Sequence, residues 1–194
     1  MFQVRIHGRG GQGVVTAAEM LSIAGFLEGF WAQAIPSFGS ERMGAPVLAF
    51  CRLHATEIRS REPITAPDAV VIQDPTLLHQ VKVFDGLAPD GWVVINSSRS
   101  LDSLGIGDVV SKLPEGHARC IPATEIALRH IGRPVPNVVL LAAICAMSGR
   151  LKLASIEAAI QQKFSGQVAA KNVAAAREAF GLMGEGALRH AQAV

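Results

Sequence analysis

Residues 8–13, Gly-Arg-Gly-Gly-Gln-Gly, place four glycines in six positions, directly after an alternating run and directly before a helical one. In the alternating run, Phe2, Val4 and Ile6 share one face of a predicted strand and Gln3, Arg5 and His7 the other. Beyond the glycines, Ala17, Met20, Leu21, Ala24 and Leu27 recur with helical spacing. Strand, glycine turn and helix open a βαβ unit, which commits the chain to an α/β architecture. Backbone amides at such a helix start face outward, with the positive end of the helix dipole behind them, and can hold an anion. Glycine is required there because a Cβ blocks close approach and because some positions need a positive φ. Tight packing of the helix on the sheet would ask for the same glycines.

The spacing Gly8, Gly10, Gly13 also fits the dinucleotide pattern GxGxxG, which has low specificity alone. A dinucleotide site needs an acidic residue at the end of the second strand to take the ribose hydroxyls. That strand is predicted over 29–35 and ends in Pro36-Ser37, with Glu28 before it, at the wrong end. A stand-alone Rossmann-like nucleotide-binding module is therefore the second choice.

A chain of 194 residues suffices for one domain with a self-sufficient core, and 1–194 is read as a single domain whose part 137–194 is helical. Charged residues make up only 18% and apolar ones 49%, which suits a folded chain with some surface covered by partners. The net charge of +2, with no basic run, argues against nucleic acid. Cys51, Cys120 and Cys145 are far apart and form no CxxC, so they are expected as buried apolar residues, without metal. No apolar run reaches membrane-spanning length and no secretory leader is evident, so a cytoplasmic protein is expected.

Further strands are predicted at 47–53, 69–73, 92–96 and, more weakly, 117–121. Residues 57–60 read as a hairpin partner of 47–53, which would make a mostly parallel sheet mixed. Asp74-Pro75 should cap and open a short helix, Ser97 to Gly107 a polar surface loop, and Thr124 a helix ending at Gly132. Asn137 is expected to cap an apolar, deeply buried helix stopped by Gly149. Ile156, Ala159 and Ile160 should face inward from the next helix, an alanine-rich helix over 167–180 closes the fold, and 184–194 is read as frayed or docked on a neighbour. The expected fold is a three-layer α/β/α sandwich with a Rossmann-like start.

The chain contains no GxSxG, HExxH or GxxxxGK[ST], and its six histidines lack ligand spacing. Two features remain: the glycine loop (Gly8, Gly10, Gly11, Gln12, Gly13), and the loop after the second strand, where Ser37, Phe38, Glu41, Arg42 and Gly44 stand between two prolines. A parallel sheet would bring both to one edge. Anion recognition without a full catalytic set suits a subunit that lends one wall to a shared active site, with no catalytic residue of its own.

Gly8-Arg9-Gly10-Gly11-Gln12-Gly13-Val14 and Pro36-Ser37-Phe38-Gly39-Ser40-Glu41-Arg42-Met43-Gly44-Ala45-Pro46-Val47 resemble the gamma subunit of the 2-oxoacid:ferredoxin (acceptor) oxidoreductases. Gln73-Asp74-Pro75-Thr76-Leu77-Leu78, Asn137 with its buried helix, and Lys171-Asn172-Val173 are similar too, so the likeness spans the chain. Glu41-Arg42-Met43-Gly44-Ala45-Pro46 is similar to the pyruvate and branched-chain type, and departs from the Glu-x-Arg-Gly-Gly form of the 2-oxoglutarate and indolepyruvate types. The resemblance implies a heteromeric complex of anaerobic metabolism that converts a 2-oxoacid (pyruvate, branched-chain, or aromatic such as phenylglyoxylate) to acyl-CoA. Thiamine diphosphate with Mg2+ and [4Fe-4S] clusters would sit on alpha, beta and ferredoxin-like subunits, CoA would be a substrate, and electrons would pass to ferredoxin or another acceptor.

Overall fold

A computed structural model of the chain describes residues 1–37 and 43–191, with 185–191 followed by backbone alone. Six strands form one sheet: β1 (Phe2–Arg9), β2 (Trp31–Ser37), β3 (Pro46–His54), β4 (Ala69–Ile72), β5 (Trp92–Asn96) and β6 (Ala118–Ile121). Their spatial order is β2-β3-β1-β4-β5-β6. β1, β4, β5 and β6 run parallel, in register from Val4 opposite Ala69 through Ile95 opposite Cys120. β3 lies antiparallel between β2 and β1. The sheet is therefore mixed, but the partner expected at 57–60 forms no strand. β3 instead makes its hairpin with β2, whose Ala32 to Ile35 pair with Leu53 to Phe50.

The helices are α1 (Val14–Leu27), α2 (Gly107–Val110), α3 (Ala123–Ile131), α4 (Asn137–Ser148), α5 (Leu153–Lys163) and α6 (Gly166–Ala191). α4 is the centre of the helical layer, with ten of its twelve residues buried. It touches β4 and β5 beneath it and α1, α3, α5 and α6 around it, as an element apolar on every side must. Each fully buried Leu or Ile in it contributes roughly 1.5–3 kcal/mol by leaving water. α6 runs on past the expected end at Phe180, so the stretch from Gly184 to Ala191 is helix.

The opposite face carries a third, thinner layer. Leu77, Val83, Leu104 and Ile106 cover Val70, Ile72, Val93 and Ile95 there, from two 3₁₀ turns, α2 and irregular chain. The predicted surface loop 97–107 thus buries two of its apolar residues. Arg5 and Arg52 are only 6% and 4% exposed. They are buried because they hold this layer on. Arg5 donates through Nη2 to the carbonyls of Val83 (2.9 Å) and Asp85 (2.6 Å), and Arg52 through Nη2 to that of Glu62 (2.5 Å). Leu27, expected inward, is 44% exposed because α1 ends there and turns away at Gly29.

Candidate functional site at the carboxyl edge of the sheet

Three of the four glycines of the loop answer a steric or conformational constraint. Gly8 still belongs to β1, opposite Val47, and a Cβ on it would meet Val14 Cγ2 at 2.6 Å and Gln73 Cβ at 3.2 Å. Gly11 and Gly13 have φ of +92° and +72°, in the left-handed region that favours glycine. Gly13 is the N-cap of α1 and offers no side chain to the orphan amides of the first turn. Instead Asn137 reaches it from the start of α4, its Nδ2 donating to the Gly13 carbonyl at 3.3 Å. The Oδ1 of Asn137 accepts from Val138 N, so Asn137 is the first residue of α4 rather than the cap before it. Close packing and an open helix start are both real properties of this loop.

The second loop returns to the same place. Gly10 N donates to the Ala45 carbonyl (2.9 Å), Gly44 N to the Gly10 carbonyl (3.3 Å), and Met43 stands 3.2 Å from where a Cβ on Gly11 would be. Antiparallel β3 achieves this: it begins at Pro46, opposite Arg9 at the end of β1, so residues 43–45 lie just beyond that end. The backbone of Ser37 ends β2 opposite Leu48. Phe38, Glu41 and Arg42 lie outside the described residues.

Arg9 joins these segments. Its Nε donates to Asp74 Oδ2 (2.9 Å), Nη1 to the Gly44 carbonyl (3.0 Å), and Nη2 to Thr76 Oγ1 (2.6 Å) and Gln80 Oε1 (2.8 Å). Gln12 completes the tie, Oε1 accepting from Arg9 N (2.8 Å) and Nε2 donating to Asp74 Oδ2 (3.3 Å). Burial alone would raise the Asp74 carboxyl. Hydrogen bonds from Thr76 and the charge of Arg9 outweigh it and hold Asp74 below the usual carboxylate range. Asp74 caps the following 3₁₀ turn through Thr76 N, as its sequence predicts.

Beside this knot lies a cleft of about 470 Å³ walled by Gln12, Gln73, Asn96, Arg99 and Thr124. It opens where connections leave β1 toward β2 on one side and β4 toward β5 on the other, the usual place for a ligand in an open α/β sheet. Gln73 is wholly buried, yet neither its Oε1 nor its Nε2 has a hydrogen-bond partner among the described residues. Nearly all buried polar groups are paired, so this carboxamide, enclosed behind the cleft wall, is a polar group still wanting a partner. Asn96 bridges the cleft: Nδ2 donates to the Gln73 carbonyl and to Thr124 Oγ1 (2.8 Å each), and Oδ1 accepts from Thr124 N (3.1 Å). Thr124 is thus not the cap of α3, which begins at Ala123 and takes its capping acceptor from β5. These amides and hydroxyls can bind and orient a ligand. The carboxylate of Asp74 is already committed to Arg9.

His7, behind the glycine loop, is neutral. Burial first, and the Arg5 charge second, push its pKa down to about 4. Its Nε2 accepts from Arg5 Nε at 3.1 Å, so the ring proton sits on Nδ1. The thiols of Cys51 and Cys145 are pushed far up by burial and that of Cys120 to about 11, which leaves no thiolate at neutral pH. Among the described residues no group of three His, Cys, Asp or Glu side chains is placed to hold a metal ion, and no helix is long and apolar enough to cross a membrane. The structure gathers Gly8, Gly10, Gly11, Gln12, Gly13 and Gly44 at one edge. Sequence reasoning passed over Arg9, Gln73 and Asn96. Gln73 and Asn96 each left a signal, a polar amide closing an otherwise apolar strand at the carboxyl edge.

Comparison with known proteins places this edge in context. Residues 3–182 match the family described as pyruvate ferredoxin/flavodoxin oxidoreductase, and the chain belongs to that family. Within it, the likeness is to gamma subunits. The chain is 45% identical over 182 residues, 93% of its length and 96% of the relative's, to the pyruvate/ketoisovalerate oxidoreductases common subunit gamma of Pyrococcus abyssi. It is 43% identical over 180 residues, 93% of its length and 94% of the relative's, to the pyruvate synthase subunit PorC of Methanothermobacter thermautotrophicus. The crystal structure of the pyruvate oxidoreductase subunit PORC from Thermotoga maritima superposes with a TM-score of 0.77 at 33% identity, over 93% of this chain and 95% of that one.

Proposed function

We propose that this chain is the gamma subunit of a complex that oxidatively decarboxylates a 2-oxoacid to its acyl-CoA and passes the electrons to ferredoxin or a similar acceptor. Thiamine diphosphate would supply the carbanion chemistry, and it and the iron–sulfur clusters would be held by the other subunits. The role of this chain is to bind and orient CoA at the wall it contributes. The observation that carries this reading is the unpaired Gln73 carboxamide in a cleft beside the glycine-lined start of α1. Family membership supports it, and so do the amide and hydroxyl side chains that line the cleft. The nucleotide-module alternative is disfavoured at the residue it would need. β2 ends in Pro36-Ser37, and Glu28, at the far end of that strand, accepts from Lys152 N at 2.6 Å.

Arg42 is proposed as a phosphate or carboxylate partner, since a guanidinium binds such groups bidentately. A lost charge-assisted contact costs about 1.5–3 kcal/mol, roughly one to two decades in affinity or rate. Arg42→Ala in the complex reconstituted under anaerobic conditions should raise the Michaelis constant for CoA by roughly ten- to a hundredfold, or slow turnover by as much, with cluster content intact. Unchanged kinetics in a fully assembled complex would remove the active-site role. The wider reading requires co-elution of the chain with thiamine- and iron–sulfur-bearing subunits. A colourless chain that elutes alone and binds NAD would establish the alternative instead.

A further inference from the structure

A second concavity, of about 260 Å³, lies between the end of α3, the start of α4 and the start of α6. Its walls are apolar: Ile131, Val135, Phe164 and Val168, the last 52% exposed. Its charged members, Arg133 and Lys171, are both cations, and neither makes an ion pair among the described residues. The lining contains no carboxylate. Two long helices also begin there, α4 at Asn137 and α6 at Gly166, adding the positive ends of their dipoles. Asn172, 4% exposed, lines the same space. Its Nδ2 turns back to the Val168 carbonyl (2.8 Å), which leaves Oδ1 an acceptor without a donor among the described residues.

We propose that this concavity is a docking socket for an acidic side chain, carried on an apolar segment of another subunit of the complex. This rests on the gamma-subunit reading above. Two unneutralised cations and two helix starts call for a carboxylate. The apolar walls receive the side chains beside it. The Oδ1 of Asn172, whose Nδ2 is committed to the Val168 carbonyl, is free to accept from a peptide N–H of that segment. Asn137 forms the back of the socket and, through its bond to the Gly13 carbonyl, the back of the glycine loop as well. The bound subunit would be seated one residue away from the start of α1.

The test uses the chain assembled with its thiamine-bearing partners. Arg133→Glu/Lys171→Glu should weaken assembly at least tenfold and abolish most of its salt dependence, while the melting temperature of the chain itself stays unchanged. Lys171→Arg should assemble as the wild type does. Carbodiimide treatment of the wild-type complex should join Lys171 to an Asp or Glu of a partner, a cross-link located by mass spectrometry and lost in Lys171→Met. Assembly of the charge-reversed chain within twofold of wild type, with no such cross-link, would overturn the socket. So would normal assembly with lost turnover, which points to a small bound carboxylate. A wild-type chain that fails to bind these subunits at all overturns the gamma-subunit reading, and the socket with it.

Discussion

A methyl group on Gly13 would lie 2.4 Å from Asn137 Nδ2, on a backbone with a φ of +72°. Left-handed backbone costs a non-glycine residue roughly 1–2 kcal/mol, and overpacking a further 1–3. Gly13→Ala should therefore lower the unfolding free energy by about 2–5 kcal/mol in urea titrations. Gly181→Ala, on an exposed turn of α6 with nothing within 4 Å, should raise it by about 0.5–1 kcal/mol. His7 yields a pH test. Its folded pKa of about 4 lies below the ordinary value of 6.5, so between those values the unfolded chain holds a proton that the folded chain refuses. Stability falls as the pH drops through this window, by about 2 kcal/mol from pH 6.5 to 5. His7→Gln should flatten that part of the profile, and an unaltered slope would show that His7 is not buried neutral. At this scale the sequence disclosed the kind of constraint on the glycine loop, close approach and positive φ, but not the residue that imposes it. The clash at Gly13 comes from Asn137, 124 residues away, and no local pattern carries such a contact.

Strands β4 and β5 were legible almost to the residue, because burial on both faces writes an uninterrupted apolar run. Strand β3 was legible too, but its partner was not. A hairpin to 57–60 fits local turn rules, whereas the real partners are β2 and β1, chosen by tertiary packing. The capping of α3 misleads in the same way. Thr124 has the right chemistry for a cap, and the acceptor that serves the helix belongs to Asn96 on β5. The stretch 97–107 was read as a polar surface loop because most of its residues are polar, and Leu104 and Ile106, which it buries, are isolated among them. Few buried contacts imply cheap local opening. In hydrogen exchange, amides of 97–117 should be replaced well before Val70–Ile72 and Val138–Ile144. Equal protection across all three would contradict a weak outer layer.

Taken whole, the molecule keeps its heavy helical layer on one face and its glycine loop and amide-lined cleft along one edge. Fold class, the glycine loop and its meeting with the second loop could be anticipated. The cleft could not, because Gln12, Gln73, Asn96 and Thr124 converge only once β5 lies beside β4. The insertion of β3 between β1 and β2 has a kinetic corollary. The first βαβ crossover cannot close by pairing its own two strands, since its centre is filled by a strand made later. The route with the least loop-closure entropy forms the β2–β3 hairpin first, across the eight residues 38–45, and then zips it onto β1. Chain growth in that turn then acts on the refolding rate. Doubling its length with a Gly-Ser insert costs about 0.6 kcal/mol of closure entropy and should slow refolding by roughly threefold, with unfolding little changed. An insert of equal length in the exposed stretch 55–61 should leave the refolding limb of the chevron where it was. On the ribosome, the N-terminal strand must wait for residue 54 to emerge before the sheet can begin.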